Sequence, residues 1–144
     1  MAPDVSVIHR AIARSVSKRR EIQAAYLFGS AASGRTRTDS DLDLAVLLTR
    51  PISASRSLDY RPKLMTDLGA ALHRSDVDVV ILNDAPPLLA HRILSQGTLV
   101  FERSASARVR FQVRAAALYA DMVPMFETQI RYLKKHARAG RIRG

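Results

Sequence analysis

At 144 residues, 47% apolar and 25% charged, the chain has the size and composition of one globular domain, with no room for a second. It holds no cysteine, which removes disulfides, thiolate metal sites and cysteine nucleophiles together, and no apolar run approaches the roughly 20 residues of a membrane span. Met1 to Asp4 opens no signal peptide, so a cytoplasmic protein without membrane association is the expectation. The net charge of +10 is uneven: residues 25–102 sum to −1, whereas residues 103–144 carry ten cations and two anions. Such a basic end is either a solvated helix face or a surface for nucleic acid, anionic lipid or an acidic protein. Few aromatics interleave with it, which argues against nucleic acid as a direct substrate.

Taken in chain order, Val5, Ile8, Ile12 and Val16 recur at helical spacing behind Asp4 as N-cap, predicting a first helix that ends near Arg20. Ala24–Phe28 is a short apolar strand closed by Gly29 and Ser30. Residues 30–40 are small and polar, a loop or a short helix. Leu42–Leu48 predicts a second strand with Asp41, Asp43, Ala45 and Leu47 on one face and Leu42, Leu44, Val46 and Leu48 on the other. Leu58 to Leu72 suggests a helix with Pro62 near its first turn. Val77–Leu82 is a β-branched strand, with Asp76 and Asp78 on one face. A helix is bracketed between Pro86–Pro87 and Gly97, Leu99–Phe101 adds a short strand, and the pattern from Ala105 to Lys135 is helical with an interruption at Pro124. The predicted fold is an α/β or α+β sandwich: a small mixed sheet flanked by helices, with a helical C-terminus.

Taken singly, an aspartate at a strand start or a Gly-Ser after a strand is ordinary turn chemistry. The joint arrangement is different. Asp41 and Asp43 leave one face of a strand with Cα atoms roughly 6.6 Å apart. Two carboxylates on a leucine-rich element are costly unless something positive compensates, and the strand holds no cation of its own. Mg²⁺ suits such a site, because one or two carboxylates and substrate phosphates are its usual oxygen ligands. Asp78 repeats the oddity on a second strand, and three acids on apolar strands fit metal-assisted phosphoryl or nucleotidyl transfer. Gly29 allows close backbone approach to an anion, and Ser30 adds a hydroxyl donor. Ser40 donates to the site or caps the turn before Asp41. Asp76 reads as a strand-entry residue, the four histidines as surface or helix residues without metal-ligand spacing, and Phe111, Leu118, Met122 and Met125 as core or a partner-facing stripe.

Gly29-Ser30, ten residues, Asp41-Leu42-Asp43 resembles the GSx10DxD signature of the polymerase-β-like nucleotidyltransferases, and LFGSAASGRTRTDSDLDLAVLL resembles their minimal, MNT-type branch. Asp78 in DVDVVIL matches the position of the third carboxylate. The likeness continues through APPLLAHRILSQGTLVFERSASARVRFQVRAAALYADMVP, which looks like the antitoxins paired with HEPN toxins. Ser33 departs from the pattern, standing where such proteins usually have a basic residue; Arg35 or Arg37 could replace it.

The resemblance implies a single domain over residues 1–144, with a catalytic core at about 24–103 and a helical segment at about 105–138. It implies an antitoxin that transfers AMP from ATP to a tyrosine of a HEPN ribonuclease toxin, with Mg²⁺, in a hetero-oligomer. Gly29 and Ser30, with Ser40 beside them, would hold the triphosphate; Asp41, Asp43 and Asp78 would bind metal, and Asp78 would help activate the incoming hydroxyl. Two alternatives stand beside it. One is nucleotide transfer to a small molecule such as an aminoglycoside, whose enzymes commonly carry a larger substrate domain. The other is an antitoxin that acts by binding alone.

Overall fold

A computed structural model describes residues 5–29 and 41–138. The expectations for Asp4, the 30–40 segment, Ser30, Ser33, Arg35, Arg37 and Ser40 therefore lie outside the described residues. Helix α1, Val5–Ser17, buries Ile8, Ile12 and Val16 along one stripe. It ends three residues before Arg20 because the backbone turns there, Arg19 N–H donating to Val16 O and Ile22 N–H to Arg19 O. Strand β1, Ile22–Phe28, starts two residues earlier than Ala24. Its register against the next strand shifts between Ile22 and Ala24, so Ile22, Ala25 and Leu27 reach one core although strict alternation separates the first from the others.

Strand β2, Leu42–Leu48, has the predicted bounds. Helix α2, Ala54–Leu72, begins at Ser53, whose hydroxyl accepts from Arg56 N–H, a full turn and more ahead of Leu58. Pro62 consequently sits inside the helix and not near its first turn. Leu64 and Leu68, fully buried, hold this helix on the sheet; burial of one such side chain contributes about 1.5–3 kcal/mol. Strand β3, Val77–Ile81, passes through a 3-10 turn at Leu82–Asp84 to α3, Pro87–Gln96, and strand β4, Thr98–Glu102, precedes α4, Ala105–Arg138. Pro124 lies within α4 and does not interrupt it.

The sheet order is β3-β2-β1-β4, with β1 antiparallel to both neighbours and β2 parallel to β3. Alternation along β2 feeds two cores. Leu42, Leu44, Val46 and Leu48 pack with Val77, Val79 and Ile81 under α1 and α2. Ala45 and Leu47 pack with Ala24, Tyr26 and Ile93 under α3, with Phe111 of α4 against them. Asn83 clips the far end of β2, its amide accepting from Leu48 N–H at 2.8 Å and donating to Leu48 O at 2.9 Å. Ala115 is the one buried residue of α4 among those described, and His91 of α3 stacks on Tyr119 of α4 at 3.7 Å between ring centroids. Beyond that point α4 leaves the sheet: Met125 is 62% and Tyr132 60% exposed. No described helix is long and apolar enough to cross a membrane.

Candidate active site

β1 delivers Gly29, and β2 and β3 deliver the carboxylates. Gly29 has φ +73°, a left-handed conformation that glycine adopts without strain. Phe28 stands opposite Asp43 in the β1–β2 register, so the backbone leaving β1 passes directly over the Asp43 side chain. A Cβ at Gly29 would lie 2.7 Å from Asp43 Oδ2. The two halves of the sequence motif thus meet at a position where a side chain would displace the Asp43 carboxylate.

Asp43 also stands opposite Asp78 in the parallel β2–β3 register. Both project from the face that carries Ala45, Leu47 and Val80, while their strand neighbours Leu42, Leu44, Val77 and Val79 point into the α1/α2 core. Burial, then the charges of Asp78 and Asp41, push the Asp43 carboxyl above the usual carboxylate range. Asp41 is exposed immediately before β2. The Asp78 carboxylate accepts from Val79 N–H at 3.0 Å and lies 3.5 Å from Arg61 Nη2.

Arg61 is a residue that sequence reasoning missed. It comes from α2, and its Nε–H donates to Val79 O at 2.9 Å on the outer edge of β3, which brings the guanidinium beside Asp78. No motif in the sequence singles it out, because its relevance depends on how α2 packs against the edge strand. Asp76 is held differently, by a bidentate pair with Arg74 at 2.7 and 2.8 Å that keeps its carboxyl below the usual range. Its carbonyl accepts from Leu42 N–H, which pins the start of β2 to β3, the strand-entry role its position suggests. Cations from α2 and the turn after it thus pair with the acids of β3 and its entry, Asp76 and in part Asp78, whereas no ion pair to Asp43 forms among the described residues.

Among the described residues no group of three or more His, Asp or Glu side chains is gathered closely enough to hold a metal ion by itself. Asp41, Asp43 and Asp78 instead present an open, all-carboxylate face. That donor set fits Mg²⁺, which keeps waters and phosphate oxygens in its shell and is seldom enclosed by protein alone. A cation would also relieve the repulsion that raises Asp43. A cavity of about 560 Å³ between β2 and α4 opens at the other end of β2, near Leu48, Asn83 and Leu118, and touches none of the three acids.

Residues 10–106 match the model of the family described as Polymerase beta, Nucleotidyltransferase. The chain is 34% identical over 104 residues to the protein adenylyltransferase MntA of Shewanella oneidensis, an alignment covering 71% of this chain and 69% of that protein. Its fold is similar to a crystal structure of a toxin–antitoxin complex with AMP-PNP (TM-score 0.73, 25% identity, 88% of this chain and 98% of that one). It is also similar to the structure of a tri-AMPylated Shewanella oneidensis HEPN toxin in complex with its MNT antitoxin (TM-score 0.70, 24% identity, 90% of this chain and 98% of that one).

Proposed function

Because the chain belongs to the polymerase beta nucleotidyltransferase family, in its minimal MNT-type branch, we propose that it is a protein adenylyltransferase antitoxin that moves AMP from ATP to a tyrosine of a cognate HEPN toxin. The observation that carries this reading is the contact of Gly29 with Asp43 together with the register of Asp43 beside Asp78. The first joins a backbone position open to a phosphate to an acid; the second sets two acids on adjacent strands where charge must be balanced from outside. The relative named as an adenylyltransferase and the antitoxin fold seen with an ATP analogue support ATP as the nucleotide and a toxin as the partner.

In this reading the tyrosine oxygen attacks the α-phosphorus, the bond to the pyrophosphate oxygen breaks, and the phenolic proton leaves with a base. Gly29, with Ser30 and Ser40, would hold the triphosphate, and the absent Cβ of Gly29 would let phosphate oxygens approach the backbone. Asp41, Asp43 and Asp78 hold Mg²⁺, which supplies charge neutralisation for the phosphates and the leaving pyrophosphate. Asp78 lies nearest the open edge of the sheet and orients or accepts the proton of the hydroxyl, while Arg61 fixes its carboxylate. Residues 24–103 form the catalytic core and the whole chain acts as one domain, in the cytoplasm where ATP is supplied.

The test is the intact mass of the purified HEPN toxin after incubation with the chain, ATP and Mg²⁺. One or more added AMP groups are expected; a toxin of unchanged mass would sink the proposal. Asp41→Asn with Asp43→Asn separates chemistry from occlusion, since a doubly substituted chain that still silences the toxin at native levels would make this a binding antitoxin.

A further inference from the structure

The apolar stripe of α4 does not stop where the sheet does. Phe111 and Ala115 pack on the α3 side of the sheet. Continuing from them at alternating steps of three and four residues come Leu118, Met122, Met125, Gln129, Tyr132 and His136, the heptad spacing of a helix–helix seam. Leu118 and Leu133 are more than half exposed, like Met125 and Tyr132, and no other element among the described residues covers them. Of the seven large apolar side chains exposed on this helix among the described residues, Leu118, Met125 and Tyr132 lie on the seam and Leu133 beside it. Isolated exposed apolar residues are unremarkable, but a continuous stripe marks a partner site.

We propose that α4 from Leu118 to His136 is the toxin-docking arm, its seam covered by a helix of the HEPN toxin whose apolar stripe is bordered by carboxylates. This rests on the proposed function for the partner and goes beyond it in assigning the surface. Charge selects the occupant. Residues 105–138 carry seven cations and two anions, with Arg131, Lys134 and Lys135 in the exposed part. Pairing with a second copy would bring two such helices together, whereas an acidic partner is attracted and steered. The spacing favours a helix over a lipid surface. Polar Gln129 stands within the seam, where a helical partner can use it to set register and hydrocarbon would leave its amide unsatisfied. Lys135 borders the seam between Tyr132 and His136, where a carboxylate of the partner helix would meet it, while Arg131 and Lys134 lie further round the helix.

The experiment compares the chain with Leu118→Asp/Met125→Asp and with Lys134→Glu/Lys135→Glu, at exposed positions whose substitution leaves the core intact. Binding of the purified HEPN toxin is measured by calorimetry at two salt concentrations, ATP binding by the same method, and AMP transfer over a range of toxin concentrations. The apolar double variant is expected to weaken toxin binding by about 100-fold, on the scale of losing two central interface anchors. The charge variant is expected to weaken it by about 10-fold and to flatten its salt dependence. Both should raise KM for toxin while kcat and ATP affinity stay as in the parent. Toxin affinity unchanged in both variants would overturn the proposal. So would a dimer of the chain alone that the substitutions dissociate, or capture by anionic phospholipid vesicles that they abolish. Toxin that binds the parent chain through α4 yet gains no AMP would refute the adenylyltransferase reading and leave the docking arm standing; toxin that does not bind at all would refute both.

Discussion

The Cα of Gly29 faces the Asp43 carboxylate so closely that the methyl group of an alanine would lie 2.7 Å from Oδ2. Two consequences of Gly29→Ala can be separated. A positive φ of 73° in a non-glycine residue strains the backbone by about 1–2 kcal/mol, a modest loss of stability. The clash itself falls on the end of a side chain that can rotate away, so the fold survives while Asp43 leaves its position. Thermal melts should therefore show a fall of a few degrees, and AMP transfer should drop on the order of 10²-fold or more. A variant as active as the parent would show that this contact does not orient Asp43.

Asp43→Asn is expected to raise the melting temperature by a few degrees at neutral pH in the absence of divalent cations, while abolishing transfer. A carboxyl raised in the folded state stabilises only when protonated: its contribution is complete below the unfolded pKa and is lost as pH rises through the folded one. Ionised Asp43 thus opposes folding, and the advantage of asparagine should vanish on acidification to about pH 3, below the ordinary aspartate pKa, where the carboxyl is protonated in either state. Magnesium should stabilise the parent chain and have little effect on the variant. Calorimetry across pH down to about 3, below the ordinary aspartate pKa, with and without Mg²⁺, checks both signs.

Arg61→Ala should change stability little, because its pair with Asp78 is exposed on both sides. It should lower kcat by about 10- to 100-fold, as loss of a group that orients a ligating carboxylate commonly does. Arg61→Lys should recover only part, since one ammonium cannot hold Val79 O and the Asp78 carboxylate as the guanidinium does. Steady-state transfer rates at saturating ATP and toxin read this directly; an alanine variant at parental kcat would remove Arg61 from the site.

Asn83→Ala supplies the opposite pattern. Its amide makes both hydrogen bonds to the backbone of Leu48 at the end of β2 remote from Asp41, so its loss should destabilise by about 1–3 kcal/mol. Below the melting temperature ATP affinity and kcat should stay at parental values. A loss of nucleotide binding in the folded variant would link the two ends of the strand.

Much of the site was legible because strand alternation is a short-range property. The two-residue period alone separates Asp41 and Asp43 from the leucines between and after them, and β2 has the bounds that period predicts. The contact of Asp43 with Asp78 was not legible in the same way, since their register depends on how α2 returns the chain to the sheet. Arg61 was invisible for the same reason. Pro62 and Pro124 misled locally: each is a breaker by its own chemistry, yet each lies inside a helix. The shift between Ile22 and Ala24 is likewise imposed by pairing, as Ile22 follows the face it can bury and not the alternation of its own strand.

The parallel pairing of β2 and β3 also says where this protein can change length. Asp43 and Asp78 are separated in sequence by a helix and two connections, any of which can gain or lose residues without altering their distance, since the hydrogen-bonded ladder sets it. One residue added within β3 before Asp78 has another effect: it turns that carboxylate to the opposite face, into the core beneath α2, and brings Val77 out beside Asp43. Lineages of this chain should therefore accumulate insertions around α2 and almost none between Asp76 and Asp78.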